Sequence, residues 1–401
     1  MNYIVTTINR LRKNLLVKII FAIVLGIFCA RFFPLPLTRV FVTLNMLFGN
    51  FLGFAIPLII LGLVAPAIAE LGNGAGKLLG ITVLLAYSST VIAGFFSYFT
   101  CDITYPLILD RSAGFSSINN ISANSINTYM NLDMPPVMGV MTALILAFVL
   151  GLGLASVKGD YLKNVLNEFR EVVNKVISKV IIPLLPLYIF GIFLKISAEG
   201  QVSTILGLFF KVIIVICIMH IVWLILLFCI AGIISKKNPF TSLCRMLPAY
   251  ATALGTQSSA ATIPVTLKQT KMNGINADMA DFVIPLCATI HLSGSTLKIV
   301  ACAFAIMWMN GLSCGLDLFS GFIFILGVTM VAAPGVPGGA IMAALGILSS
   351  ILGFDETLQG LMIALYITMD SFGTACNVTG DGAIAMIVDK LYRRKASQKS
   401  Y

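Results

Sequence analysis

The chain is short of charge. Aspartate, glutamate, lysine and arginine make up 10% of its 401 residues, against 59% hydrophobic residues and a mean hydropathy of +1.00. A soluble protein could not bury so much apolar surface, which leaves an all-α polytopic membrane protein. Histidine is rarer still, with only His220 and His291. The nine cysteines are odd in number and lack a C-x-x-C pair, and several, such as Cys217, Cys229 and Cys302, lie inside apolar runs. That argues against a disulfide frame or a zinc site and for small buried hydrophobes. Nucleotide and metal motifs are missing, as is a recognisable Ser/His pairing, so an intramembrane enzyme finds no support. No basic and aromatic module appears, so nucleic acid is not an expected partner.

The charge that is present is placed at the ends. The net charge of +10 comes largely from Arg10, Arg12, Lys13 and Lys18 before the first apolar run, and from Lys390, Arg393, Arg394, Lys395 and Lys399 after the last. Basic flanks stay cytoplasmic, so both termini are expected inside, with an even number of crossings of the plasma (inner) membrane. The run after Lys18 is long and lacks a small-residue cleavage site, and reads as a first span rather than a signal peptide.

Nearly uncharged runs cover about 19–38, 40–69, 78–101, 134–157, 179–198, 200–235, 282–316, 318–354 and 357–388. The 318–354 run holds 37 uncharged residues, broken at its centre by Ala333-Pro334-Gly335-Val336-Pro337-Gly338-Gly339. An unbroken helix of that length would overshoot about 30 Å of hydrocarbon, and Pro and Gly end one helix and start another. A re-entrant hairpin follows. Asn238–Lys268 breaks similarly at Gln257-Ser258-Ser259-Ala260-Ala261-Thr262-Ile263-Pro264. The C-terminal half therefore reads hairpin, span, hairpin, span, an internal repeat with a broken element in each copy, which points to a secondary transporter. Opposed hairpin tips suit an occluding site better than a passive channel. The Ser- and Asn-rich stretch 102–133 reads as an aqueous loop, and Tyr161–Lys179 as an amphipathic entry to a span.

The most informative stretch is Met369–Asp381, M-D-S-F-G-T-A-C-N-V-T-G-D. Asp370, Thr374, Asn377 and Asp381 step by four, three and four, which places them on one stripe of one helix. Ionisable groups in a span are costly and mark a cavity, a partner or an ion path. Two carboxylates, an amide and a hydroxyl can hold a small zwitterion and a cation.

These motifs together resemble the dicarboxylate/amino acid:cation symporters, which include the excitatory and neutral amino acid transporters and archaeal aspartate transporters. Ser258–Pro264 looks like the serine-rich tip of that family's first hairpin, Gly335–Gly338 like its second, and Thr374–Asp381 like its last-span signature. The resemblance implies eight transmembrane helices plus two re-entrant hairpins, inverted repeats, an elevator-type mechanism and a homotrimer. It implies scaffold helices over 14–72 and 134–198, and a transport domain over 76–100 and 200–393. The latter would comprise a hairpin at 238–268, a broken span at 278–316, a hairpin lid at 318–354 and a last span at 357–390. It implies no cofactor, but co-transported Na⁺ and/or H⁺. By position, Asp370 would receive a substrate's α-ammonium and Asn377 bind its α-carboxylate. Thr374, Ser258, Ser259, Val336 and Gly338 would approach the ligand. Asn377 and Asp381 would supply a Na⁺ site, with Ser88, Ser89, Cys287, Thr289, His291 and Ser293 at the other cation positions.

The departures refine this. Acidic-substrate members carry an Arg where this chain has Gly373. Arg is the natural partner of a side-chain carboxylate, whereas the retained Asp370 suits an ammonium. The pair points to a small neutral amino acid, with an acidic amino acid or C4-dicarboxylate as the alternative. The family's Asn-Met-Asp-Gly-Thr reads His291-Leu292-Ser293-Gly294-Ser295 here. A site that trades a carboxylate for Ser293 binds a hard cation poorly, and His291 brings a titratable ring. Lys298, in the same apolar run, either snorkels, pairs with a carboxylate or stands in for a cation. His220 sits in a span without a motif and reads as a core histidine.

Overall fold

The computed structural model describes residues 15–72, 77–109, 126–130, 132–157, 159–200, 202–334 and 337–398. Arg10, Arg12, Lys13, Lys399, the tip residues Gly335 and Val336, and 110–125 of the expected loop lie outside the described residues. The fold is all-α. In the N-terminal half α1 is Leu15–Cys29, α2 Leu35–Gly72, α3 Lys77–Ile108, α4 Val140–Ser156, α5 Tyr161–Val176 and α6 Ile182–Ala198. A π turn at Ile177–Ile181 links α5 to α6, so the amphipathic entry runs straight into its span. The C-terminal half holds α7 Val202–Ser235, α8 Pro239–Thr256, α9 Ser259–Met272, α10 Ala277–Ile290 and α11 Ser293–Met309. It ends with α12 Leu316–Ala332, α13 Gly339–Leu352, α14 Glu356–Thr368 and α15 Asp370–Gln398.

Among the described residues, five helical stretches are long and apolar enough to cross a bilayer: Leu35–Ala69, Leu78–Ile108, Tyr161–Ala198, Leu206–Ser235 and Ala277–Met309. α14 and α15, bent by 61° at Met369, make a sixth if taken together. Exposed Phe210, Ile218, Ile221 and Ile233 give α7 an apolar outer face of the kind a bilayer covers. The expected last span is thus two helices, with the polar stripe 370–381 wholly on the second. The loop expected from residue 102 begins later, because α3 continues to Ile108. Asp102 ends the uncharged run, but Tyr105 beyond it is fully buried against Phe304 and holds the helix together.

Local chemistry sets the breaks. Asn238 caps α8 by accepting from Thr241 N at 3.0 Å, with Pro239 in its first turn. α8 stops where Gln257 turns left-handed at φ 54°, and Ser258 then caps α9 by accepting from Ala261 N at 3.3 Å. α8 and α9 fold back on one another, as do α12 and α13. At about 25 and 21 Å, α12 and α13 are each shorter than the roughly 30 Å hydrocarbon layer. Gly338, at φ 74°, makes the turn into α13.

Two sets of helices pack among themselves. α2 lies along α4 and α5, and α1 along α6. α7, α8 and α10 surround α15, while α11 lies between α3 and α15. α11 is buried at nearly every position, so the polar groups at its start must find partners inside the protein.

Candidate substrate and cation site

The site lies where α11 starts, α15 starts and the two hairpin tips meet them. A helix start leaves N–H groups without intrahelical partners. At α11 these are supplied from another helix: Asn377 Oδ1 accepts from Gly294 N at 2.8 Å and from Ser295 N at 3.2 Å. Asn377 Nδ2 donates to Ser295 Oγ at 2.9 Å, and Tyr366 Oη donates to the same hydroxyl at 3.2 Å. Asn377, expected to face a substrate carboxylate, thus has its side chain engaged as an inter-helix cap.

Asp370 opens α15. Its Oδ1 lies 3.1 Å from Lys298 Nζ, and its Oδ2 accepts from Gly338 N at 2.8 Å. Lys298 is fully buried, so it does not snorkel; it pairs with a carboxylate 72 residues away in sequence. Its ammonium also sits 3.4 Å from the centroid of the Tyr366 ring. Gly373 makes room for it: a Cβ there would lie 2.9 Å from Lys298 Nζ. The first hairpin docks on the same helix, with Gln257 Nε2 donating to Ser371 Oγ at 2.8 Å. Ser259 and Thr374 are buried close by in sequence to these contacts, and Ser258 is spent on its cap.

A second cluster forms about three turns further along α15 from Asp370. His291, at the break between α10 and α11, has Nδ1 2.9 Å from Asp381 Oδ1 and Nε2 3.0 Å from Ser89 Oγ. All three are buried. Gly380 lets the ring approach, since a Cβ there would lie 2.9 Å from its Cε1. A neutral ring donating to Asp381 accepts from the Ser89 hydroxyl, and a charged ring donates to both, so a rotating hydroxyl serves either state.

Of the expected cation positions, His291, Asp381 and Ser89 come together. Ser88 is the half-buried neighbour of the serine that reaches the ring. Cys287 contributes its carbonyl to His291 N at 2.9 Å. Thr289 does not join them: it is exposed, bonds back to Leu286 O, and lines a cleft of about 520 Å³ beside Ala333 and Pro334. Ser293, Thr296 and Thr379 bury hydroxyls that lack a hydrogen-bond partner among the described residues. His220 Nε2 lies 3.0 Å from Gly294 O and ties α7 to α11, as a core histidine would. Ser295, Tyr366, Gln257 and Ser371 were not expected from the sequence. The one available signal was Ser295, a hydroxyl in the first turn of a broken helix.

Curated relatives of similar length exist. The chain is 28% identical over 393 residues to the serine/threonine transporter SstT of Acinetobacter baumannii (strain AYE), covering 94% of this chain and 97% of that one. It is 26% identical to the serine/threonine transporter SstT of Acinetobacter baylyi, over 95% and 98%. It is 28% identical to excitatory amino acid transporter 1 of Rattus norvegicus, over 70% of this chain and 54% of that one. The family model for the sodium:dicarboxylate symporters matches residues 15–391. The chain therefore belongs to the sodium:dicarboxylate symporter family, and its activity is cation-coupled symport of amino acids or dicarboxylates across a membrane rather than catalysis.

Proposed function

We propose that the chain takes up a small neutral amino acid in symport with a cation, by alternating access. The observation that carries this reading is Asp370 beside Gly373: a buried carboxylate for an ammonium, with no arginine for a second, side-chain carboxylate. The relatives named serine/threonine transporters, alike over nearly their whole length, support it. Lys298 Nζ against Gly373 is the observation that favours an acidic substrate, but that cation is engaged by Asp370.

In this reading α1, α2 and α4–α6 form the scaffold of a homotrimer, with eight crossings and both termini cytoplasmic. α3 and α7–α15 move as one unit. α8–α9 and α12–α13 are the re-entrant hairpins, and α12–α13 is the lid. Ser259, Gly338, Asp370 and Thr374 contact the substrate, and Ser258 and Asn377 do so on leaving the caps they form at α9 and α11. Closing the lid expels water, which strengthens the ion pair between substrate ammonium and Asp370. Cation and substrate are coupled because both stabilise the same closed state. His291 holds Asp381 where a Na⁺ would otherwise sit, so fewer Na⁺ ions move per cycle than in three-sodium members, and His291 contributes a proton.

Calorimetry on the purified protein with serine, threonine, alanine, aspartate and succinate tests the substrate. Neutral amino acids bind, and Asp370→Asn abolishes binding, because the substrate's ammonium then lacks its counter-charge at a cost of several kcal/mol. Tight aspartate or succinate binding, with none of the neutral three bound, would refute the reading.

A further inference from the structure

Every group that would receive an amino acid's ammonium is already engaged from within the protein. Asp370 Oδ1 has Lys298, and Asp370 Oδ2 has the first amide of the lid's second arm, Gly338 N. Lys298 belongs to α11, which packs on α15, so the ammonium and the carboxylate travel on the same pair of helices. The absent side chain of Gly373 admits the ammonium, and the face of Tyr366 flanks it.

We infer that Lys298 is a tethered ammonium that takes the substrate ammonium's place on Asp370 when the carrier is empty. The lid then closes without cargo, and the carrier returns unloaded, giving net uptake rather than obligatory exchange. The inference rests on the reading of Asp370 as the substrate's ammonium acceptor. Its physical basis is the cost of an unpaired buried charge. Without Lys298, an empty carrier closing its lid would bury the Asp370 carboxylate with no cation beside it. It would stay open until a substrate arrived, and every return would carry cargo. With Lys298 the empty site is self-complementary. On loading, the substrate's ammonium takes Oδ1 and Lys298 lets go of Asp370 but stays on the Tyr366 face, where it already sits 3.4 Å from the ring centroid, its charge offset by the substrate's own carboxylate.

A plain structural salt bridge predicts something different. Its loss would slow net uptake and exchange alike. The distinguishing quantity is therefore the ratio of the two rates, in which a common change of affinity or folding cancels. Proteoliposomes of the full chain, with labelled serine saturating outside and either serine or buffer inside, give both rates. Wild type is expected to show net uptake at a rate comparable with exchange. Lys298→Met is expected to lower the ratio of net uptake to exchange by about tenfold or more, and Lys298→Arg, which keeps the cation, to restore it. An unchanged ratio in Lys298→Met would overturn the inference. If that variant fails to fold, the wild type decides: exchange without net uptake overturns it as well. Absence of both modes in wild type would refute the underlying substrate reading, and the inference with it.

Discussion

His291 shows how one residue joins three helices. It ends α10, and its ring reaches Ser89 on α3 and Asp381 on α15. The groups around it are those two, the Cys287 carbonyl on its own helix, and the apolar wall of Gly380; the Lys298–Asp370 pair lies further along α11. An asparagine there could hydrogen-bond but not titrate. We therefore expect wild-type substrate affinity to depend on pH and only weakly on Na⁺. His291→Asn should lose the pH dependence and gain Na⁺ dependence, since the carboxylate of Asp381 is freed for a hard cation. Affinity titrations across pH and Na⁺ check this; a Na⁺ slope near three with no pH dependence in either protein would count against it. His291 and Asp381 stood out in the sequence because each is a polar group in an apolar run, and the fold brings them together. The partner of Lys298 was not, because a pairing across 72 residues leaves no local trace. Tyr366 was missed for a related reason: an aromatic residue in a span reads as core, and only geometry shows a cation on its face.

At the scale of elements, the breaks were more legible than the helix ends. Pro334, Gly338 and the serine run 258–259 each interrupt an apolar run, and the helices stop there. Asp102, by contrast, ends an uncharged run without ending α3, because packing by Tyr105 outweighs one charged side chain. The bend at Met369 carried no Pro or Gly of its own and could not be read. It turns α15 so that Asp370 stands in the helix's first turn, where a carboxylate is favoured by the helix dipole. The second hairpin's contact with that carboxylate depends on Gly338 at φ 74°. Gly338→Ala should cost about 1–2 kcal/mol in that left-handed conformation. Hydrogen exchange at the first turn of α13 in substrate-free protein should speed up by about tenfold. Unchanged protection would mean that the turn does not hold the second hairpin against Asp370.

At the scale of the whole molecule, the apolar outer faces, the buried α11 and the paired polar clusters describe a membrane carrier in which the buried Lys298, Asp370 and Asp381 each have a partner inside the protein. The Lys298–Asp370 ion pair and the His291–Asp381 contact link α11 and its preceding break to α15, and each sits where a cargo charge is proposed to bind. The membrane class followed from composition, and its helices from the long uncharged runs. The count of crossings did not, since α1 and α4, at 15 and 17 residues, are apolar but short of a full crossing by length. The central claim is that such a molecule concentrates a small neutral amino acid by spending a cation gradient. Uptake of labelled serine into proteoliposomes, with inward H⁺ and Na⁺ gradients imposed separately and together, tests it most directly. Serine should accumulate above its outside concentration when H⁺ is imposed, and further when Na⁺ is added. Failure of serine, threonine and alanine to accumulate under any gradient, while aspartate or succinate does, would contradict it.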